Sequence, residues 1–283
     1  MPQSNVLERL RQPGPLVAVE LRPPPAGLAA GDAMDLWIDM AHEVRRLARH
    51  DTVLFLTDNA VGAAEEENLR HLATNLADEI SPARAVPFLT SKHALDYCVL
   101  YAARAASHGY QALTVLGGDQ RVGAPRCVPH ASELRQVLRQ RVPGLALGGW
   151  ANPHRDPSRQ VDFLLDRGYS AEFYLTQIVS HHEIRAVEAF VREAARRGVA
   201  MPGVFGVFLY RSANPRTLAR LAEFLPVPAV GITRDFAAGR SAQEICAETI
   251  RRLRDAGVER VYVSNLGVKG ASERYRGLLD ALG

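Results

Sequence analysis

Eight times along this chain a short run of apolar, largely β-branched residues gives way to a segment whose apolar side chains recur at helical spacing. The runs are Leu16–Leu21, Thr52–Thr57, Ala85–Thr90, Ala112–Leu116, Leu145–Trp150, Phe173–Val179, Val204–Phe208 and Arg260–Val263. Between them Leu36, Met40, Val44 and Leu47 form one helical stripe, and Leu95, Val99 and Ala102 a second. Ile184, Val187, Val191 and Ala194 form a third, and Cys246, Ile250 and Leu253 a fourth. Several runs are apolar throughout, as strands must be when both faces are covered, and covered faces are what βαβ units produce. Eight such units close on themselves. The expected fold is therefore α/β, a single (β/α)8 TIM barrel with residues 1–283 as one catalytic domain. An open doubly wound sheet is the rival, weakened because no Gly-x-Gly-x-x-Gly follows the first strand. Pro226–Arg240, rich in proline and glycine, reads as an insertion over the barrel mouth before the final helix.

The chain has 283 residues, 47% hydrophobic and 23% charged, with a net charge of +3. Charges alternate in sign along the helical segments, which describes solvated faces. No basic stripe interleaved with aromatics points to nucleic acid. The three cysteines, Cys98, Cys127 and Cys246, show no CxxC spacing and fit a reducing compartment. No signal peptide is visible at Met1-Pro2-Gln3-Ser4, and no apolar stretch reaches bilayer length, so a cytoplasmic location is expected. Homo-oligomerisation is compatible with the sequence, which does not fix it.

In a barrel, chemistry sits at the C-terminal ends of the strands and in the loops after them. The first run holds Glu20 among apolar neighbours, followed by Arg22 and three prolines. A carboxyl there is costly unless paired, protonated or useful. The second run ends Leu56-Thr57-Asp58-Asn59, the fourth Leu116-Gly117-Gly118-Asp119, and the fifth Trp150-Ala151-Asn152-Pro153-His154. The sixth carries Thr176-Gln177, whose amide needs partners if buried. Ser180-His181-His182-Glu183 reads as a capping box opening the next helix, with Ser180 as N-cap, and no metal site is expected.

Together these strand ends resemble the methylenetetrahydrofolate reductase family, over nearly the whole chain. The matching pieces are Val19-Glu20-Leu21-Arg22-Pro23-Pro24, Val86-Pro87-Phe88-Leu89-Thr90, Gly118-Asp119, Ala131-Ser132-Glu133-Leu134, Leu175-Thr176-Gln177 and Pro202-Gly203-Val204. The resemblance implies reduction of 5,10-methylenetetrahydrofolate to the 5-methyl form, with NADH or NADPH as electron donor and FAD as the relay. It implies that Glu20 and Asp119 are catalytic. Glu20 would be the general acid for the departing nitrogen, its pKa raised by apolar surroundings. Asp119 would stay ionised and stabilise the iminium cation. Gln177, with Phe208 or Tyr210 packed on the folate, would bind substrate. Carried-over flavin contacts are Thr57, Leu116, Gly117, Gly118, Asp119, His130, Ala131, Trp150 and His154.

This sequence departs from the family mainly on the cofactor side. The family's Arg before Gly-Asp is Gly117, its strand-three His is Phe88, its usual Tyr is His130, and its Tyr after strand five is Trp150. Three readings follow: a flavin-dependent methylenetetrahydrofolate reductase; a flavin-independent or other pterin reductase; and a non-catalytic folate-binding subunit.

Overall fold

The computed structural model describes residues 5–58, 68–119 and 122–283. Eight parallel strands close into one barrel in chain order: β1 (Leu16–Leu21), β2 (Leu54–Leu56), β3 (Ala85–Thr90), β4 (Ala112–Leu116), β5 (Ala146–Ala151), β6 (Phe173–Val179), β7 (Gly203–Phe208) and β8 (Arg260–Ser264). β8 closes the ring on β1, with Val17 opposite Val261 and Val19 opposite Val263. The (β/α)8 expectation holds, and every expected strand lies within three residues of its observed bounds. β2 is shorter than its run, and β8 extends one residue further, to Ser264.

The covering helices are α2 (Ala30–Leu47), α3 (Asn68–Asn75), α4 (Leu95–Ser107), α5 (Ala131–Arg141), α6 (Pro157–Leu165), α7 (Ile184–Arg196), α8 (Pro215–Ala222), α9 (Ala229–Ala237), α10 (Ala242–Asp255) and α11 (Ala271–Leu282). A short α1 (Val6–Arg11) precedes them. Their starts are written locally. Asp156 caps α6 and Asn214 caps α8, each followed by a proline whose missing N–H costs nothing at that position. Ser241 and Glu244 cap α10 reciprocally.

Strand alternation divides the core in two. Val17, Val19, Leu54, Leu56, Leu113 and Val115 point outward to the helices. Leu16, Ala18, Phe55, Phe88, Leu116, Leu175, Phe208 and Tyr262 fill the barrel. Two strand glycines make room for rings there. A Cβ on Gly148 would lie 2.5 Å from the Phe173 ring, and one on Gly206 2.5 Å from the Tyr262 hydroxyl. Val6 and Leu10 of α1 are fully buried against the same inner cluster, below the N-terminal strand ends. Arg9 ties α1 to Asp51 in the segment before β2 (2.7 Å), and Arg260 reaches Gln12 O.

Pro226–Arg240 does cover the mouth, as α9. Its Ile232 is buried in the cluster that includes Phe208 and Tyr210. It is followed not by the final helix but by α10, β8 and then α11. No helix among the described residues is long and apolar enough to cross a membrane.

Candidate active site at the barrel mouth

By the same alternation that turns Leu16 and Ala18 inward, Glu20 faces the interior near the C-terminal end of β1. Ser264 follows Val263 on β8 and donates its hydroxyl to Glu20 Oε1 at 2.7 Å. One turn deeper, the Tyr262 hydroxyl donates to Thr176 O (2.7 Å), and burial and then the Glu20 charge push that phenol well above its ordinary range. Thr57, Thr90, Leu116, Trp150 and Phe208 occupy corresponding positions at the ends of their strands. The top of the barrel is thus a ring of polar and aromatic side chains over an apolar interior.

Gly118 turns the chain after β4 with φ +70°, a left-handed conformation that glycine adopts without strain, and Asp119 follows it half-buried at the mouth. Beside this turn lies Arg126. Its guanidinium donates to Gly118 O, and its Cζ lies 2.7 Å from where a Cβ on Gly117 would sit. The missing side chain at 117 is therefore replaced in space by an arginine nine residues on. Arg126 Nε is buried and has no hydrogen-bond partner among the described residues. A buried donor left open next to Leu116, Gly117 and Gly118 suits an acceptor-bearing ligand. The open donor of Arg126 suits the flavin that the resemblance implies, which Arg126 would hold together with Thr57, Leu116 and Trp150 at the strand ends.

Other carried-over positions are engaged differently. His130 is the exposed N-terminal cap residue of α5, its side chain making no cap bond, and Ala131 is the first residue of that helix. The His154 Nε2 is 2.8 Å from Ile178 O, so that nitrogen carries the proton, and Nδ1 lies 3.6 Å from Glu183.

Gln177 sits where β6 loses register with β7 between Leu175 and Ile178. Its Oε1 accepts from Ile178 N at 2.9 Å, which fixes the amide by local backbone. Phe208 and Tyr210 pack together with ring centroids 4.9 Å apart. Tyr210 is buried and its hydroxyl has no partner among the described residues. Burial and then the nearby Glu183 carboxylate drive that phenol up.

Sequence reasoning missed several groups at this end of the barrel. Asp58 is held by Thr90 N (2.7 Å), Thr90 Oγ1 (3.0 Å) and His93 Nε2 (2.8 Å), and so clamps the end of β2 to β3. Ser180 caps His182 N at 3.3 Å in a 3-10 turn (His181–Glu183) ahead of α7, so the reciprocal capping box expected there is not the one that forms. Both histidines turn instead to Asp235 of α9. Burial and the adjacent His182 hold the His181 imidazole below its ordinary pKa against the opposing pull of Asp235. Of the Ser264–Glu20 pair only Glu20 had a legible signal, a carboxyl inside an apolar strand.

No family model matches the sequence, and no curated protein matches it. Among solved structures, an uncharacterized protein from Clostridium thermocellum that binds two copies of 5-methyl-5,6,7,8-tetrahydrofolic acid aligns with a TM-score of 0.69 and 14% identity, covering 97% of this chain and 98% of that one. The aldolase QR15 aligns with a TM-score of 0.50 and 11% identity, covering 93% and 96%. At these identities the likeness establishes one thing: the chain is a closed (β/α)8 barrel of the kind both proteins share.

Proposed function

We propose that this protein is a reductase of the one-carbon folate pool, converting 5,10-methylenetetrahydrofolate to 5-methyltetrahydrofolate with NADH or NADPH as electron donor and FAD as relay. The observation that carries the reading is Glu20: an acidic side chain turned into the barrel mouth, hydrogen-bonded to Ser264, beside the aromatic and polar ring described above. The Clostridium thermocellum barrel of the same architecture binds a reduced folate, which supports a folate as ligand.

Opening the methylene bridge requires a proton on the departing nitrogen and leaves an iminium carbon that accepts hydride. Glu20 in its acid form holds that proton. Ser264 fixes one of its carboxyl oxygens. Asp119, in the turn after β4, is an anion suited to stabilise the cation. Gln177 presents an amide whose oxygen is already fixed, so its NH2 is the group left for the pterin or nicotinamide. Phe208 and Tyr210 offer aromatic surface for the folate. FAD, when bound, supplies two-electron hydride chemistry, and Thr57, Leu116, Trp150 and Arg126 would hold it.

A second reading, direct hydride transfer from nicotinamide to folate without flavin, is favoured by the exposure of His130 and the engagement of His154 with Ile178 and Glu183. The spectrum of the purified protein decides. Flavin absorbance that bleaches anaerobically with NADH and recovers with methylenetetrahydrofolate is the expected result. Colourless protein that oxidises NADH only when folate is present establishes the second reading. Folate binding with no turnover from either nicotinamide overturns both.

A further inference from the structure

His181 and His182 leave the C-terminal end of β6, and Asp235 comes from α9, more than fifty residues later. The three converge. Nε2 of His182 lies 2.9 Å and Nε2 of His181 3.2 Å from the same oxygen, Asp235 Oδ2. The three donor atoms lie within 4.8 Å of one another. Tetrahedral zinc with bonds of ~2.0–2.2 Å holds its ligand atoms about 3.4 Å apart, close to the spacing found here.

The surroundings orient these donors as second-sphere partners orient metal ligands. Thr249 Oγ1 lies 2.8 Å from His181 Nδ1 and 3.3 Å from Ile245 O. With Nδ1 engaged by Thr249, Nε2 is the ring nitrogen turned to Asp235 Oδ2. In the tautomer with its proton on Nδ1, Nε2 offers a lone pair to a cation shared with that oxygen. The other carboxylate oxygen, Oδ1, is bound by Arg240 at 3.1 Å, leaving Oδ2 turned to the histidines. His182 can lie this close because residue 231 is glycine; a Cβ there would come within 2.5 Å of the imidazole. Asp235 is buried, and the two imidazoles are largely covered, tilted by 40° with centroids 3.9 Å apart.

We propose that His181, His182 and Asp235 form a site for one divalent transition-metal ion of the zinc or cobalt class, with a fourth position open to water or an oxygen ligand. The ion fastens the mouth-covering helix α9 to the end of β6. This inference is independent of the reductase reading: it concerns binding and the seating of α9, and neither requires folate chemistry.

Metal-stripped full-length protein titrated with Co2+ tests it. One equivalent should bind, with visible d–d absorption of a four- or five-coordinate N/O site, and raise the melting temperature. Asp235→Asn keeps shape and a hydrogen bond to His182, so it should fold as the unaltered protein does by circular dichroism while losing at least tenfold in Co2+ affinity. His181→Ala should do the same. Absence of saturable binding up to 100 µM Co2+, or affinity unchanged in the Asp235→Asn, His181→Ala double variant, overturns the proposal and leaves a His–Asp–Arg polar clamp. Binding that persists only in the unaltered protein supports it whether or not the barrel reduces folate.

Discussion

The Ser264 hydroxyl donates to Glu20 Oε1 at 2.7 Å, joining the last strand of the barrel to the first at the point where the ring closes. This contact ties the proposed acid to the rigid scaffold of the barrel. Ser264→Ala should therefore lower kcat for folate reduction by a few-fold to about tenfold, the effect of losing one hydrogen bond of ~0.5–1.5 kcal/mol, with KM little changed. Glu20→Gln should lower it by at least about 100-fold while nicotinamide-dependent reduction of any bound flavin continues. Equal loss of both half-reactions in Glu20→Gln would show the residue to be structural.

Tyr210 carries a buried hydroxyl with no partner among the described residues. If folate supplies that partner, Tyr210→Phe should weaken folate binding roughly tenfold, yet relieve an unsatisfied group in the free protein and raise its stability by about 1 kcal/mol. In a chain of this size that is a rise in melting temperature of about 2–4 °C. A lower melting temperature with unchanged folate affinity would identify Tyr210 as an ordinary core residue.

Gly148 and Gly206 define where the interior rings can lie. A methyl at 148 would meet the Phe173 ring, which is packed on every side and cannot swing away. Gly148→Ala should cost about 1–3 kcal/mol in urea denaturation without altering the secondary-structure spectrum. A neutral result would mean that the inner layer is looser than its packing indicates.

Burial pushes the Cys98 and Cys246 thiols up to about 12. At pH 8 a thiol of that kind is ionised in only about one molecule in ten thousand, so neither should be an effective nucleophile. Native protein treated with iodoacetamide at pH 8 should be alkylated at the partly exposed Cys127 first, with Cys98 and Cys246 reacting only after unfolding. Mass spectrometry showing Cys98 modified as fast as Cys127 would mean that α4 opens readily from the barrel.

The barrel was legible because its signal is repeated and local. Each strand is an apolar run, each helix has a period, and closure follows from there being eight units. The inward position of Glu20 was legible too, since period-two alternation from Leu16 decides it. What lay beyond reach depends on where loops return. Arg126 fills the space over Gly117 by folding back from a loop that carries no periodicity. His181 and His182 read as a helix start because their partner, Asp235, belongs to an inserted helix far along the chain. Ser264 was one residue past the expected end of β8, and strand ends are set by pairing with neighbours rather than by the residue's own preference.

One consequence lies at the far end of the molecule. Val6 and Leu10 close the N-terminal end of a barrel that its own inward side chains already fill, so this end is packed core and not a second entrance. Donor and acceptor molecules that both use the strand-end face are then obliged to take turns there or to lie side by side.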